Sequence, residues 1–429
     1  MDANRAPRRL LLVPILLPLL WSLGFVATAQ TAPPPLLSDR ARVSLITLWP
    51  GREVYLAFGH SALRVRDPES GLDLLFNYGT FDFEDPLFVP RFVKGDLKYR
   101  LSVYPYKAYY DFNLSSEKRR WDEQVLDLDP GQVDAVYRFL AWNAKPENMY
   151  YRYDFILDNC ATRIDLALAK SLGPAYALGK EPVAKPGATY RELLDEFVAG
   201  RPLYRFLFSF VLGRAADHPV TTQEATFLPF YLAKAFASAT IGEGAAARPL
   251  VRSSSRLYEP PAFSDFSTPW LDPGFILWPL SLLVLVMTGR SLLAWRKGGP
   301  ARPRLVPADL ALFLVIGVIG AIAFYLGLLS VHSATKGNLN LLWLWPTHLI
   351  AAFFAPSRGL SRWKAAYFAL AALLAIAPLL AWPLWPQGMD TRLIPLLLIL
   401  ASRSACLALE ASPLARAGTA RGQKRRRSR

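Results

Sequence analysis

The stretch Tyr153-Asp154-Phe155-Ile156-Leu157-Asp158-Asn159-Cys160-Ala161-Thr162-Arg163 organises the reading of this chain. Asp158 and Asn159 stand where a helix cap is expected. Cys160 to Leu172 follows as the helix, with Ile164, Leu168 and Leu172 on one stripe. Cys160 then occupies a first turn, where unpaired backbone N–H groups and the helix dipole stabilise a thiolate. The only other cysteine of the 429 residues, Cys406, lies in an apolar C-terminal segment. A single thiol in an exported domain is a candidate nucleophile, with its base sought elsewhere in the chain.

That base is offered far upstream, in Phe58-Gly59-His60-Ser61. A useful thiol needs a lowered pKa, an imidazole that exchanges protons with it, and a group that fixes the imidazole's tautomer. Cys160, His60 and Asn77 can fill these roles in turn, and a backbone N–H at the head of the Cys160 helix can hold a developing oxyanion. Competing readings are a buried structural thiol, a satisfied strand histidine, and an asparagine serving the turn at Tyr78-Gly79. No metal site is expected, because residues 30–272 contain only His60, His218 and Cys160 as soft ligands. With neither a Gly-rich phosphate loop nor a Gly-x-Ser-x-Gly elbow, no cofactor is expected either.

Outward from this domain the composition sets location. Residues 1–29 join Arg5, Arg8 and Arg9 to an apolar stretch and Ala27-Thr28-Ala29, which predicts a cleaved signal peptide and a chain starting near Gln30. Residues 30–42, with a Pro-rich leader, read as a linker, and 43–272 as the exported domain. From residue 273 to 410 long apolar runs predict five spans, around 274–289, 308–331, 339–355, 365–385 and 392–410, with Arg403 interrupting the last. Trp343, Trp345, Trp382 and Trp385 fit an interfacial aromatic belt. Basic residues crowd the 290–304 loop, the loop with Arg358, Arg362 and Lys364, and the tail 411–429. These sides are therefore expected to be cytoplasmic, and the exported domain shares the outer face with the 332–340 loop. The formal charge of +15 belongs to this topology, since residues 30–272 carry 28 Lys and Arg against 30 Asp and Glu, and the remainder 21 against 4. Nucleic-acid binding is accordingly not expected, and the basic tail reads as a membrane flank.

Within the exported domain, Val43–Trp49, Tyr55–Val65 and Leu72–Tyr78 read as strands, the last two forming a hairpin that brings His60 and Asn77 together. Lys98–Tyr104 predicts another strand. After Pro130-Gly131, the residues Val133, Val136, Tyr137 and Leu140 mark a buried helical face, and residues 187–240 read as mainly helical. The fold class expected is α+β, followed by an all-α membrane region.

Several motifs together resemble the N-terminal periplasmic domain of the Lnb family: Phe58-Gly59-His60-Ser61-Ala62, Asn77-Tyr78-Gly79-Thr80-Phe81-Asp82-Phe83, Gly95-Asp96-Leu97-Lys98-Tyr99, Pro146-Glu147-Asn148 and Asp158-Asn159-Cys160-Ala161-Thr162-Arg163. Gly187-Ala188-Thr189-Tyr190-Arg191-Glu192-Leu193 and Gly213-Arg214-Ala215-Ala216-Asp217 extend the resemblance, which spans about 43–240. It implies a permuted papain-like fold of NlpC/P60 type with helical additions, in which histidine precedes cysteine. It also implies a lipoprotein transacylase that moves an acyl chain from the diacylglyceryl group to the lipoprotein's N-terminal amine through a thioester. Carried onto matching positions, Cys160 is the nucleophile and His60 its base; Asn77 as orienting group is read from the residues and not from the resemblance. Asn159 and Arg163, and His332 and Asn338 of the outer loop, are expected to contact the membrane lipid or lipoprotein substrate. Two other readings stand beside this one: an envelope peptidoglycan amidase or peptidase, and a non-catalytic membrane-anchored binding module.

Overall fold

The computed structural model describes residues 36–81, 86–260, 267–296, 306–355 and 361–410. The expected signal peptide, the start of the linker, Arg358, most of the 290–304 loop and the basic tail lie outside the described residues.

The sheet begins with β1 (Arg42–Leu48), whose β-branched and apolar residues are almost all buried. A 3-10 turn at Val54–Leu56 follows, so the second strand, β2 (His60–Asp67), starts five residues later than the expected Tyr55. The positive φ of Gly59 explains the late start: the chain makes a sharp turn there, its Cα facing the Leu48 carbonyl so closely that a Cβ would stand 2.7 Å from that oxygen. β3 (Leu72–Thr80) pairs antiparallel with β2, their turn fixed by the Asp67 carboxylate, which accepts from Ser38, Glu69 and Ser70.

A short helix α1 (Phe88–Lys94) then leads into β4 (Lys98–Pro105), α2 (Tyr106–Ser116) and β5 (Trp121–Leu126). Helix α3 (Pro130–Asn143) carries a capping box between Asp129 and Gln132, and buries Val133, Val136, Tyr137 and Leu140 as the spacing predicts. β6 (Tyr150–Arg152) precedes α4 (Cys160–Leu172), whose Ile164, Leu168 and Leu172 are buried. The remaining domain is built from β7 (Tyr176–Ala177), α5 (Tyr190–Phe197), α6 (Pro202–Val211), α7 (Thr222–Ala225), α8 (Pro229–Ala237), β8 (Thr240–Ile241), β9 (Arg248–Pro249) and β10 (Val251–Tyr258).

Seven strands form one antiparallel sheet in the order β10-β5-β1-β2-β3-β4-β6, and β7, β8 and β9 form a small second one. Helices α3, α4 and α8 cover one face of the large sheet over a core of Val43, Leu45, Leu63, Phe76 and Tyr78, while α2 closes the other over Ile46, Leu48 and Trp121. The expected α+β class with helical additions is therefore present.

The C-terminal region is helical: α9 (Gly274–Arg296), α10 (Val306–Phe324) continued by a wider turn at Tyr325–Leu329, α11 (His348–Phe354), α12 (Arg362–Leu380) and α13 (Leu393–Glu410). Among the described residues three helices are long and apolar enough to cross a membrane: Pro269–Ala294, Pro307–Leu329 and Arg362–Leu380. Leu393–Leu409 is a shorter apolar helix. The span expected at 339–355 differs most. It is broken into a 3-10 turn at Leu339–Leu342 and the seven-residue α11, with Pro346 between them, a residue that cannot donate a helical hydrogen bond. Arg403, expected to interrupt the last helix, is buried against Asp309 of α10 in a two-point ion pair of 2.7 and 2.9 Å.

Candidate active site

Two elements meet to make the site: the first residue of β2 and the first residue of α4. His60 is held from behind by β3, where its Nε2 lies 2.5 Å from Asn77 Oδ1, and the Asn77 amide donates onward to Thr80 Oγ1 at 3.1 Å. The Asn77 oxygen accepts from Nε2–H, which leaves Nδ1 as the nitrogen that faces the Cys160 sulfur. The hairpin thus brings the Asn77 amide within hydrogen-bond reach of the His60 ring.

Cys160 is presented by a strongly capped helix start. The Asn159 side-chain oxygen accepts from Ala161 N (2.8 Å) and Thr162 N (3.1 Å), and Thr162 Oγ1 accepts from Asn159 N. The Asn159 amide donates to Phe155 O and to Phe227 O, so this buried side chain spends every polar atom on the chain itself. Asn159 is accordingly a positioning residue, and the expectation that it contacts substrate has no free donor or acceptor to rest on. Burial alone pushes the Cys160 thiol up. The facing imidazole, together with the N–H groups of Ser61 and Ala161, outweighs it and brings the thiol below its ordinary range. For His60 burial works downward, yet the thiolate charge and hydrogen bond and the Asn77 contact raise it. Each group therefore favours the charged form of the other. Both residues are only partly buried as a whole.

Two further residues shape the space over the sulfur, and neither stands out in the sequence alone. Gly79 has φ +97, and a Cβ there would lie 3.7 Å from Cys160 Cβ, 3.8 Å from His60 Cε1 and 4.0 Å from Tyr151 Oη. Its bare backbone leaves open the one volume that all three groups border. Tyr151, on β6, is 7% exposed and its hydroxyl has no hydrogen-bond partner among the described residues. Gly79 lies in a run that carries the family resemblance, and so does Tyr151, in Tyr151-Arg152-Tyr153-Asp154-Phe155, but neither run shows what its residue does at the site.

Arg163, also expected at the substrate, is engaged within the chain. It forms a two-point pair with Asp158 and its guanidinium stacks over the Tyr151 ring at 4.2 Å, so it fixes the tyrosine. The 332–340 loop does reach the domain, docking on the turn that precedes Cys160. Ser333 Oγ donates to Asp154 Oδ1 (2.7 Å), and Ser333 N to Asp154 Oδ2 (3.1 Å). Within that loop, His332 Nε2 contacts Phe92 O at 2.8 Å. Asn338 is buried between Phe210 O, Asn340 N and Gln387, which makes it a scaffold contact between α6 and the membrane region. Among the described residues no group of His, Cys, Asp and Glu is assembled to hold a metal ion.

Comparison with known proteins gives two matches. Residues 36–196 match the family model of the Lnb N-terminal periplasmic domain, and residues 265–412 match that of the Lnb transmembrane domain. No curated protein and no solved structure matches the chain significantly. The two models fall in their proper order, on the sheet domain that holds Cys160 and His60 and on the apolar helices that follow, and the chain is a member of the Lnb family, a membrane protein with a periplasmic domain.

Proposed function

We propose that this protein is a lipoprotein transacylase of the bacterial cytoplasmic membrane that uses Cys160 as an acyl carrier. The observation that carries the reading is the Cys160–His60–Asn77 alignment, placed on a domain whose catalytic turn is bonded to the membrane region through Asp154 and Ser333. The order of histidine strand before cysteine helix supports a permuted papain-like origin for the fold.

The Cys160 thiolate attacks an ester carbonyl of the diacylglyceryl group, and a C–S bond forms while the carbonyl electrons move onto oxygen. The Cys160 N–H, which the Asn159 cap leaves unengaged, and the Tyr151 hydroxyl donate to that oxyanion. As the tetrahedral centre collapses, the ester C–O bond breaks and the leaving alkoxide takes the proton from the His60 imidazolium. The lipoprotein's N-terminal amine then attacks the thioester. His60 accepts the amine's proton, the C–S bond breaks, and an N-acylated lyso-lipoprotein leaves with the thiolate restored. A largely dry site favours the amine over water, since both substrate and product stay at the bilayer.

Mass spectrometry of lipoprotein N-termini tests the reading, in cells relying on this protein. Wild type should give N-acyl lyso forms, Cys160→Ser and His60→Ala none, and Tyr151→Phe should slow their formation by about 10²-fold. Identical N-termini in all four strains would discard it. Muropeptide release by the purified protein would instead favour the peptidoglycan hydrolase. A deletion phenotype fully complemented by Cys160→Ala would favour the binding module.

A further inference from the structure

One turn of the periplasmic domain touches both halves of the Cys160–His60 pair, and the membrane region holds that turn. Residues 154–158 close on themselves, because Asp154 N donates to Asp158 O at 3.1 Å and Asp158 N to Asp154 O at 3.0 Å. The Asp154 carboxylate folds the interior, its Oδ1 accepting from Ile156 N and Leu157 N at 3.0 Å each. On one side the turn runs directly into the cap of α4: Asp158 pairs with Arg163, Phe155 O accepts from the Asn159 amide, and Cys160 is next in the chain. On the other, the Phe155 ring meets Phe58, two residues before His60, edge on at 5.1 Å between centroids. The position of this turn therefore enters the placement of the sulfur and of the imidazole alike.

What fixes the turn from outside is Ser333. Its hydroxyl donates to Asp154 Oδ1 at 2.7 Å and its backbone N–H to Oδ2 at 3.1 Å, so the carboxylate receives four donors, two from its own turn and two from the loop that follows α10. The loop is itself firmly seated. Gly213 N donates to Ala334 O, Ala215 N to Lys336 O and Arg214 N to Gly337 O, at 3.0, 3.2 and 3.3 Å. A Cβ at Gly213 would stand 2.1 Å from Lys336 O, so only a glycine allows this approach. The same loop reaches the imidazole side by a second route: Asn338 and Asn340 donate to Phe210 O and Ser209 O of α6, and Phe208 of that helix stacks on Phe58 at 6.2 Å. We infer that Ser333 is a positioning residue for the chemistry at Cys160: through Asp154 it holds the turn so that thiol and imidazole meet, and a residue of the membrane region thereby completes the periplasmic site. This rests on Cys160 being the nucleophile, and it gives the membrane region a part in the chemistry besides anchoring the domain. A hydroxyl donating to a carboxylate is short and directional, and fixes its partner more narrowly than apolar packing does. The precision matters, because a displacement of about 1 Å at a reacting pair costs a large part of its rate.

The test uses the full-length protein in nanodiscs of phosphatidylethanolamine and phosphatidylglycerol. It follows alkylation of Cys160 by iodoacetamide against pH, by peptide mass spectrometry, beside the unfolding temperature. Ser333→Ala removes the hydroxyl and keeps the backbone donor. It should slow alkylation near neutral pH by about tenfold and move the profile to higher pH, while the protein stays folded. Ser333→Thr, which keeps the hydroxyl, should restore the wild-type profile. Arg392→Gln, which breaks the ion pair with Asp272 at the other flank of the two regions, should leave the profile in place. A wild-type profile in Ser333→Ala overturns the assignment, as does a shifted one in Ser333→Thr. An equal shift in Arg392→Gln overturns it too, because general docking would then be the cause, and so does a loss of fold in Ser333→Ala, which would mark a structural contact only. Alkylation of wild-type Cys160 no faster than that of the unfolded chain would instead overturn the nucleophile on which the assignment depends.

Discussion

Cys160 and His60 determine each other's protonation, and this makes a pH dependence the sharpest residue-scale expectation. The thiol is held low and the imidazole high, so thiolate accumulates as pH rises through the lowered value, and imidazolium is lost only as pH rises through the raised one. Each charge thus extends the pH range over which the other persists, and iodoacetamide should label Cys160 at a pH below the about 8.5 of a free thiol. In His60→Ala the imidazole is gone while burial remains, so the labelling profile should move to higher pH. An unchanged profile would mean that the histidine does not sense the sulfur. Asn77→Ala should act through His60 alone, by leaving the Nε2–H unpaired, and should shift the profile in the same direction by less.

At the scale of elements, the head of α4 depends on one side chain. Asn159 satisfies two orphan N–H groups of the helix and two carbonyls of neighbouring segments, one of them Phe227 O from the turn before α8. Asn159→Ala should therefore destabilise the domain by about 2 kcal/mol, more than an ordinary exposed cap, read as a lower unfolding temperature of the purified protein. Asp, which keeps the acceptor and loses the two donations, should recover part of the loss. The neighbouring strands show how far local patterns carry. β1 and β3 were legible because apolar and β-branched residues run through them, and α3 and α4 because their buried stripes repeat at helical spacing. β10, Val-Arg-Ser-Ser-Ser-Arg-Leu-Tyr, was not, because it is an exposed edge strand, defined only by its pairing with β5 and its arginines on Asp127 and Asp122.

At the scale of the molecule, polar contacts join the two regions at several points. Arg191 bonds Asp217, whose carboxylate also accepts from Gly388 N, and Arg392 pairs with Asp272 at the other flank. Deeper in the helical region the Arg403–Asp309 pair ties α13 to α10 with both groups buried. Removing one partner leaves a buried charge uncompensated, so Asp309→Ala should lower stability in detergent or nanodiscs by about 3–5 kcal/mol, and Asp309→Leu/Arg403→Met should recover most of it. Thermal unfolding checks this; a single variant as stable as wild type would show that Arg403 finds another partner or reaches water.

The sequence by itself determined the class of the domain, the position of the thiol at a capped helix start and the apolar region that follows. These are properties of local spacing: period-two and period-3.6 patterns, a cap residue before an apolar stripe, and long runs without charge. Tertiary structure alone decided which polar groups remain free for chemistry. Asn159 and Asn338, both expected at the substrate, turned out to have their hydrogen-bonding atoms committed to distant carbonyls, and His332 to hold α1. Tyr151, singled out for no role by the run it belongs to, was left with a buried hydroxyl that has no hydrogen-bond partner among the described residues. Such satisfaction depends on partners tens to hundreds of residues away, and no local pattern records where those partners fold.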